Sequence, residues 1–131
     1  MQRDMDLMRK ILFKIEEVFP AGNLLIHGVP IDGYDMALIA DRCQLLYEAG
    51  LINSYKPHRG GQGAKVLFYS VGNLTNSGYD FLDKIREDTI WNNTKDIIKD
   101  KGLPMVMDVI KEVSSTLISS MVEGTIRGLK Q

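Results

Sequence analysis

Lys56, His58, Arg59 and Lys65 fall within ten residues, and no acid interrupts residues 55 to 65. Lys56, Arg59 and Lys65 give this segment a charge of +3, whereas the whole chain of 131 residues carries -1. Cations on a glycine-rich turn, here His58-Arg-Gly-Gly-Gln-Gly63, can lie along phosphates, and an arginine at the tip can enter a minor groove. The competing reading is a solvated hairpin whose lysines keep a sheet edge from pairing. Catalytic chemistry has less to stand on. His27, His58 and the single Cys43 show neither metal-ligand spacing nor the spacing of a nucleophile with its base. The acid pairs Asp80/Asp83 and Glu87/Asp88 share their face with Lys84 and Arg86, as solvated carboxylates do. Gly60-Gly-Gln-Gly63 lacks the Lys-Ser/Thr and the helix start of a phosphate loop. A non-enzymatic protein without cofactor or metal is therefore expected.

The elements that must position these residues follow from periodicity. Asp4 or Asp6 can cap a first helix that runs to about residue 18, with Leu7, Ile11, Leu12, Ile15 and Val18 on one stripe and Pro20 and Gly22 ending it. Residues 24 to 27 suit a short first strand, and Gly28-Val-Pro-Ile-Asp-Gly33 is rich in turn formers. Leu38, Ile39, Leu45, Leu46 and Ala49 recur at helical spacing, so a helix is expected over 34 to 49, closed by Gly50 in the left-handed cap conformation. Residues 51 to 57 and 65 to 71 are β-branched and aromatic and read as a hairpin around the glycine-rich tip. Thr75 or Asn76 can cap the next helix, which is expected to continue to Gly102 with a bend near Asn92-Asn93-Thr94. Pro104 suits the first turn of a last helix, residues 104 to about 126.

Three segments carry a resemblance: RDMDLMRKIL near the start, LLYEAGLI in the centre, and LTNSGYDFLDKIREDTIWNNTK. Together they are similar to a prophage-associated winged-helix family, domain of unknown function 2513. The resemblance implies a phage or mobile-element setting and a winged-helix fold, and it implies no established activity. The chain departs from the family pattern in the central helix, where Asp41-Arg42-Cys43 stands in place of Tyr-His-Leu.

The expectation is thus an α+β winged helix over residues 1–88, built as helix, short strand, helix and two-stranded wing, with a helical extension over 89–131. Duplex DNA bound through the wing is the first partner considered, with Arg42 and Gln44 of the central helix as base readers. Against this, the helix's outward residues include Asp35, Asp41 and Glu48, and a major-groove helix should present donors. The segment Ile26 to Gly33 also leaves room for only a short turn where a helix-turn-helix needs a separate helix. The alternative is a protein-interaction module that modulates a host or phage protein.

The tail supports that alternative. Val106, Ile110, Val113, Leu117 and Met121 form one stripe, and Ser114, Ser115, Ser119 and Ser120 would let a second helix approach closely. With Trp91 as a further anchor, the stripe suits a homodimer or a protein partner, or else simple packing. Asp108, Lys111, Glu112 and Glu123 interrupt it, so no membrane span is expected. A charged N-terminus and one cysteine, expected to be buried and reduced, suit the cytoplasm.

Overall fold

The computed structural model describes residues 5–19, 25–61 and 65–130. They form an α+β structure in the order α1 (Met5–Val18), α2 (Met36–Glu48), β1 (Tyr55–Arg59), β2 (Val66–Val71), α3 (Asn76–Ile85), α4 (Asp88–Asp100) and α5 (Met107–Lys130). Two compact units arise: Asp6–Asp80 is one, and Phe81 onward, with Met5, is the other. The division falls inside α3.

In the first unit, α2 has the ends its sequence requires. Asp35 is extended at the N-cap and accepts from the Leu38 amide at 2.8 Å. At the other end Gly50 takes φ +76, the Gly50 amide donates to the Tyr47 carbonyl and the Leu51 amide to that of Leu46. This paired closure is the expected left-handed cap, and it turns the chain directly into the hairpin. Asp4, Pro20, Gly22 and Leu24, which figured in the expected first helix and strand, lie outside the described residues.

Among the described residues the expected first strand appears as one bridge, in which Ile26 and Val71 exchange both backbone hydrogen bonds at 2.9 Å. Gly28 follows at φ +94, a conformation that glycine adopts readily. The hairpin itself is antiparallel, pairing Tyr55 with Val71, Lys56 with Ser70, Pro57 with Tyr69 and His58 with Phe68. His58 and Arg59 were expected at the tip but belong to β1, with a register shift between them. Beyond the ladder, Ile52 bridges Leu74, and Thr75 closes the junction: its amide donates to the Leu51 carbonyl, its hydroxyl donates to that of Gly50, and its Oγ1 accepts from the Gly78 amide. Buried residues of this unit include Leu7, Met8, Ile11, Leu12, Ile15, Ile39, Cys43, Leu46, Leu51, Ile52 and Val71.

In the second unit the helix does not bend at Asn92-Asn93-Thr94. It breaks earlier, at Arg86-Glu87, where Glu87 is extended (φ -72, ψ 126) and α4 begins anew. Ile85 and Trp91 are both buried. Six residues apart on one unbroken helix they would lie about 120° from each other, at the limit of what one apolar stripe covers. At the far end Gly102, at φ +65, ends α4 as expected, with the Leu103 amide donating to Ile98 and that of Gly102 to Lys99. Pro104 stands outside α5, which starts at Met107, and the Ile110 amide donates back to the Val106 carbonyl. α4 and α5 pack on each other, and Trp91, Thr94 and Ile98 of α4 and Ile110 and Ser114 of α5 are buried. At about 36 Å for its 24 residues, α5 is nearly twice the length of α4 with 13.

Candidate functional site

Alternation along the hairpin sorts its side chains into two faces. Tyr55, Pro57, Tyr69 and Val71 share one. Tyr55 and Tyr69 are ring neighbours, with centroids 6.3 Å apart. The Tyr69 hydroxyl accepts from the Val29 amide at 2.8 Å, which anchors the loop after Ile26. Burial pushes the Tyr69 phenol up to about 12, against a smaller downward pull from its bond to the Val29 backbone. Burial likewise raises Tyr55, and it pushes the Cys43 thiol of α2 up to about 12. Cys43 is fully buried, as a small hydrophobe should be.

Lys56, His58, Phe68 and Ser70 share the other face. Here His58 lies flat against Phe68, with centroids 4.2 Å apart and planes 14° from parallel. Ser70 is buried, and its Oγ is 2.9 Å from His27 Nδ1, in a hydrogen bond that joins the post-Ile26 loop to the hairpin. Lys56, His58, Arg59 and Lys65 are all exposed, so the basic residues expected to act together do stand on one projecting hairpin.

Beside this face lies a cavity of about 410 Å³. Apolar atoms from Val29, Ile31, Met36 and Phe68 form much of its wall, and His27 and Asp32 supply polar groups. Its floor is held in place by the Tyr69–Val29 bond, and its rim by the Lys10 ammonium 5.4 Å from the centre of the Tyr34 ring. Behind Pro30, Ile31 and Asp32 a second hollow of mixed charge is lined by Lys10, Lys14 and Glu17. Phe68, Ile31 and Asp32 were not singled out in the sequence. Burial along β2 does not alternate, since Leu67 and Phe68 are both exposed and Tyr69, Ser70 and Val71 are all buried, so no alternation in the sequence marks Phe68.

The helix residues are placed otherwise than expected. Arg42 is only 7% exposed, among Ile39, Ala40, Cys43 and Leu46 on the buried face of α2, and its guanidinium bonds to the neighbouring Asp41 carboxylate. So covered, it has almost no surface to offer a base edge. Gln44 is half-buried, and its Nε2 donates to Glu48 Oε1 at 3.2 Å.

The tail residues divide. Trp91 and Ile110 are buried, so the packing alternative describes them, and an exposed interface does not. Val106, Val113 and Leu117 are half-buried. Met121 is exposed, and with Ile90, Ile118, Val122, Thr125 and Ile126 it lines an apolar hollow of about 340 Å³. Among the described residues no group of three or more His, Cys, Asp or Glu is placed to hold a metal ion, and no helix is long and apolar enough to cross a membrane.

The sequence pattern of the family described as "Hypothetical protein (DUF2513)" matches residues 2–104. The chain belongs to this family. A relative in Haemophilus influenzae, described as an uncharacterized protein, is 38% identical over 123 residues, covering 93% of this chain and 99% of its own length. The DUF2513 match spans α1 to α4, with the hairpin and the cavity, and ends before α5. No solved structure matches the chain.

Proposed function

We propose that this protein is a non-enzymatic nucleic-acid-binding module of winged-helix type that grips the phosphate backbone with its hairpin, in the cytoplasm. What supports the reading is one arrangement: Lys56, His58, Arg59 and Lys65 all project from the β1–β2 hairpin into solvent. The order helix, bridge, helix, hairpin suits the winged-helix part of the proposal, and the phage or mobile-element setting comes from the family resemblance. α2 takes no part in base reading on this account, since Arg42 is buried and the exposed charges Asp35, Asp41 and Glu48 would repel phosphates. Contacts to phosphate set affinity and register without sequence information, so the binding is expected to be weakly specific and strongly salt-dependent. Fluorescence anisotropy of the full chain against a labelled random duplex tests it. Binding at low salt that fades as salt rises is the expected result, and no binding even at low salt would exclude it.

A second reading rests on a separate observation. Past the buried part of α5, Met121, Val122, Ile126 and Leu129 are exposed, the last at 82%. An apolar stripe of this kind suits a protein partner, and a second copy of the chain is the simplest occupant. On that reading residues 89–131 act as a dimerising or docking extension.

A further inference from the structure

The cations of the hairpin account for contact with phosphate, but they leave Phe68 without a role. It is 51% exposed in a short strand, its ring is stacked on His58, and it forms part of the wall of the cavity next to the hairpin. Lys56 stands two residues before His58 on the same face, about 7 Å along the strand. Ser70, opposite Lys56, is bonded to His27, which also lines the cavity. One face of the hairpin therefore carries a cationic amine, a pair of parallel rings and the mouth of a concavity.

We propose that this face binds a nucleotide whose base is unpaired, with the base entering the cavity against Phe68 and its phosphate on Lys56. The inference rests on the nucleic-acid reading above and narrows it from duplex to unpaired bases. Three features select such a ligand. The cavity, about 410 Å³, is of the size that holds small organic ligands. Its walls at Val29, Ile31, Met36 and Phe68 suit the faces of a flat ring, and stacking on an aromatic side chain tolerates every base. Asp32 is the acid among the lining residues, and a carboxylate there accepts from the exocyclic amino group of cytosine or adenine, which thymine lacks. A base within a duplex keeps both of its faces in the stack and cannot enter. The same chemistry can come from a single strand or from a free mononucleotide. A strand adds neighbouring phosphates for Arg59 and Lys65, whereas a mononucleotide engages Lys56 alone.

The test compares labelled cytidine and thymidine dodecamers with a duplex of equal length, on the full chain and on Phe68→Ala and Asp32→Asn. Cytidine monophosphate is titrated in parallel while the methyl resonances of Ile31 and Met36 are followed. The cytidine strand is expected to bind at least about tenfold more tightly than the duplex at the same salt. Phe68→Ala should weaken the strand by about tenfold, as removal of one stacked base does, and leave the duplex within about twofold. Asp32→Asn should erase the preference for cytidine over thymidine. Perturbed Ile31 and Met36 methyls place the base in the cavity, and whether the monophosphate alone perturbs them tells the mononucleotide from the strand as the source. Duplex bound as tightly as the strand, or strand binding indifferent to Phe68→Ala, would overturn the inference while leaving the hairpin reading intact. Binding to neither strand nor duplex at low salt would remove both.

Discussion

The carbonyl oxygen of Leu51 occupies the space that a Cβ on residue 78 would need, 2.1 Å from the ideal position of that atom. Gly78 in α3 thus lets the helix lie against the backbone of the α2–hairpin junction, where Thr75 bonds to both Gly50 and Leu51. Because the obstacle is backbone, no rotamer relieves it. Gly78→Ala is expected to destabilise the protein by about 2–3 kcal/mol through overpacking, seen as a lower Tm in thermal circular dichroism. An unchanged Tm would mean that α3 does not approach Leu51 this closely.

Two other glycines should respond in opposite directions. Gly50 closes α2 at φ +76, a conformation in which a Cβ is strained, so Gly50→Ala is expected to cost about 1 kcal/mol. Gly124 lies in α5 with open space around its Cα, and Gly124→Ala should stabilise by about 0.5–1 kcal/mol by removing freedom from the unfolded chain and favouring the helix. Urea denaturation of the two variants beside the wild type reads both signs at once.

Much of this is legible in the sequence, and the failures have physical causes. The end of α2 can be read because a glycine following an apolar period leaves little choice about where the helix stops. The break at Arg86-Glu87 cannot, since both are good helix formers, and the weak helix formers Asn92-Asn93-Thr94 lie inside α4, which runs through them. Charge normally faces outward, yet the position of Arg42 between Ile39 and Leu46 on the helix carries it to the covered side, where Asp41 partners it. The basic hairpin is visible as a charge cluster. The cavity beside it is not, because it forms only when Ile31 and Asp32 of one loop meet Phe68, which lies 36 positions after Asp32.

Alkaline pH should weaken the fold through Cys43. Its thiol ionises at about 12 in the folded chain against an ordinary 9.0, because burial disfavours the thiolate. The unfolded chain therefore releases this proton first as pH rises. The contribution of Cys43 to stability is intact below pH 9.0 and is lost progressively as pH climbs from there towards about 12. Between about pH 8 and about pH 10.5 the wild type should lose about 2 kcal/mol more than Cys43→Ala does, measured by urea denaturation. Equal losses in the two proteins would contradict this. The native thiol should also react slowly with iodoacetamide and reach a normal rate only on unfolding.

If the distal face of α5 joins two chains, the full-length protein is a dimer in light scattering. Val122→Glu combined with Leu129→Glu, both at exposed positions, should then give a folded monomer with an unchanged far-ultraviolet spectrum. A wild type that is already monomeric at high concentration would remove the self-association reading.

The central claim is that the hairpin grips phosphates, and the salt dependence of binding by Lys56→Ala/Arg59→Ala/Lys65→Ala tests it most directly. Removing one cation from a phosphate lowers the slope of log K against log salt by about one, so the triple variant should show a slope shallower by about three than the wild type and weaker binding on every sequence. A variant that binds with the wild-type affinity and slope would show that the hairpin is not where nucleic acid is held.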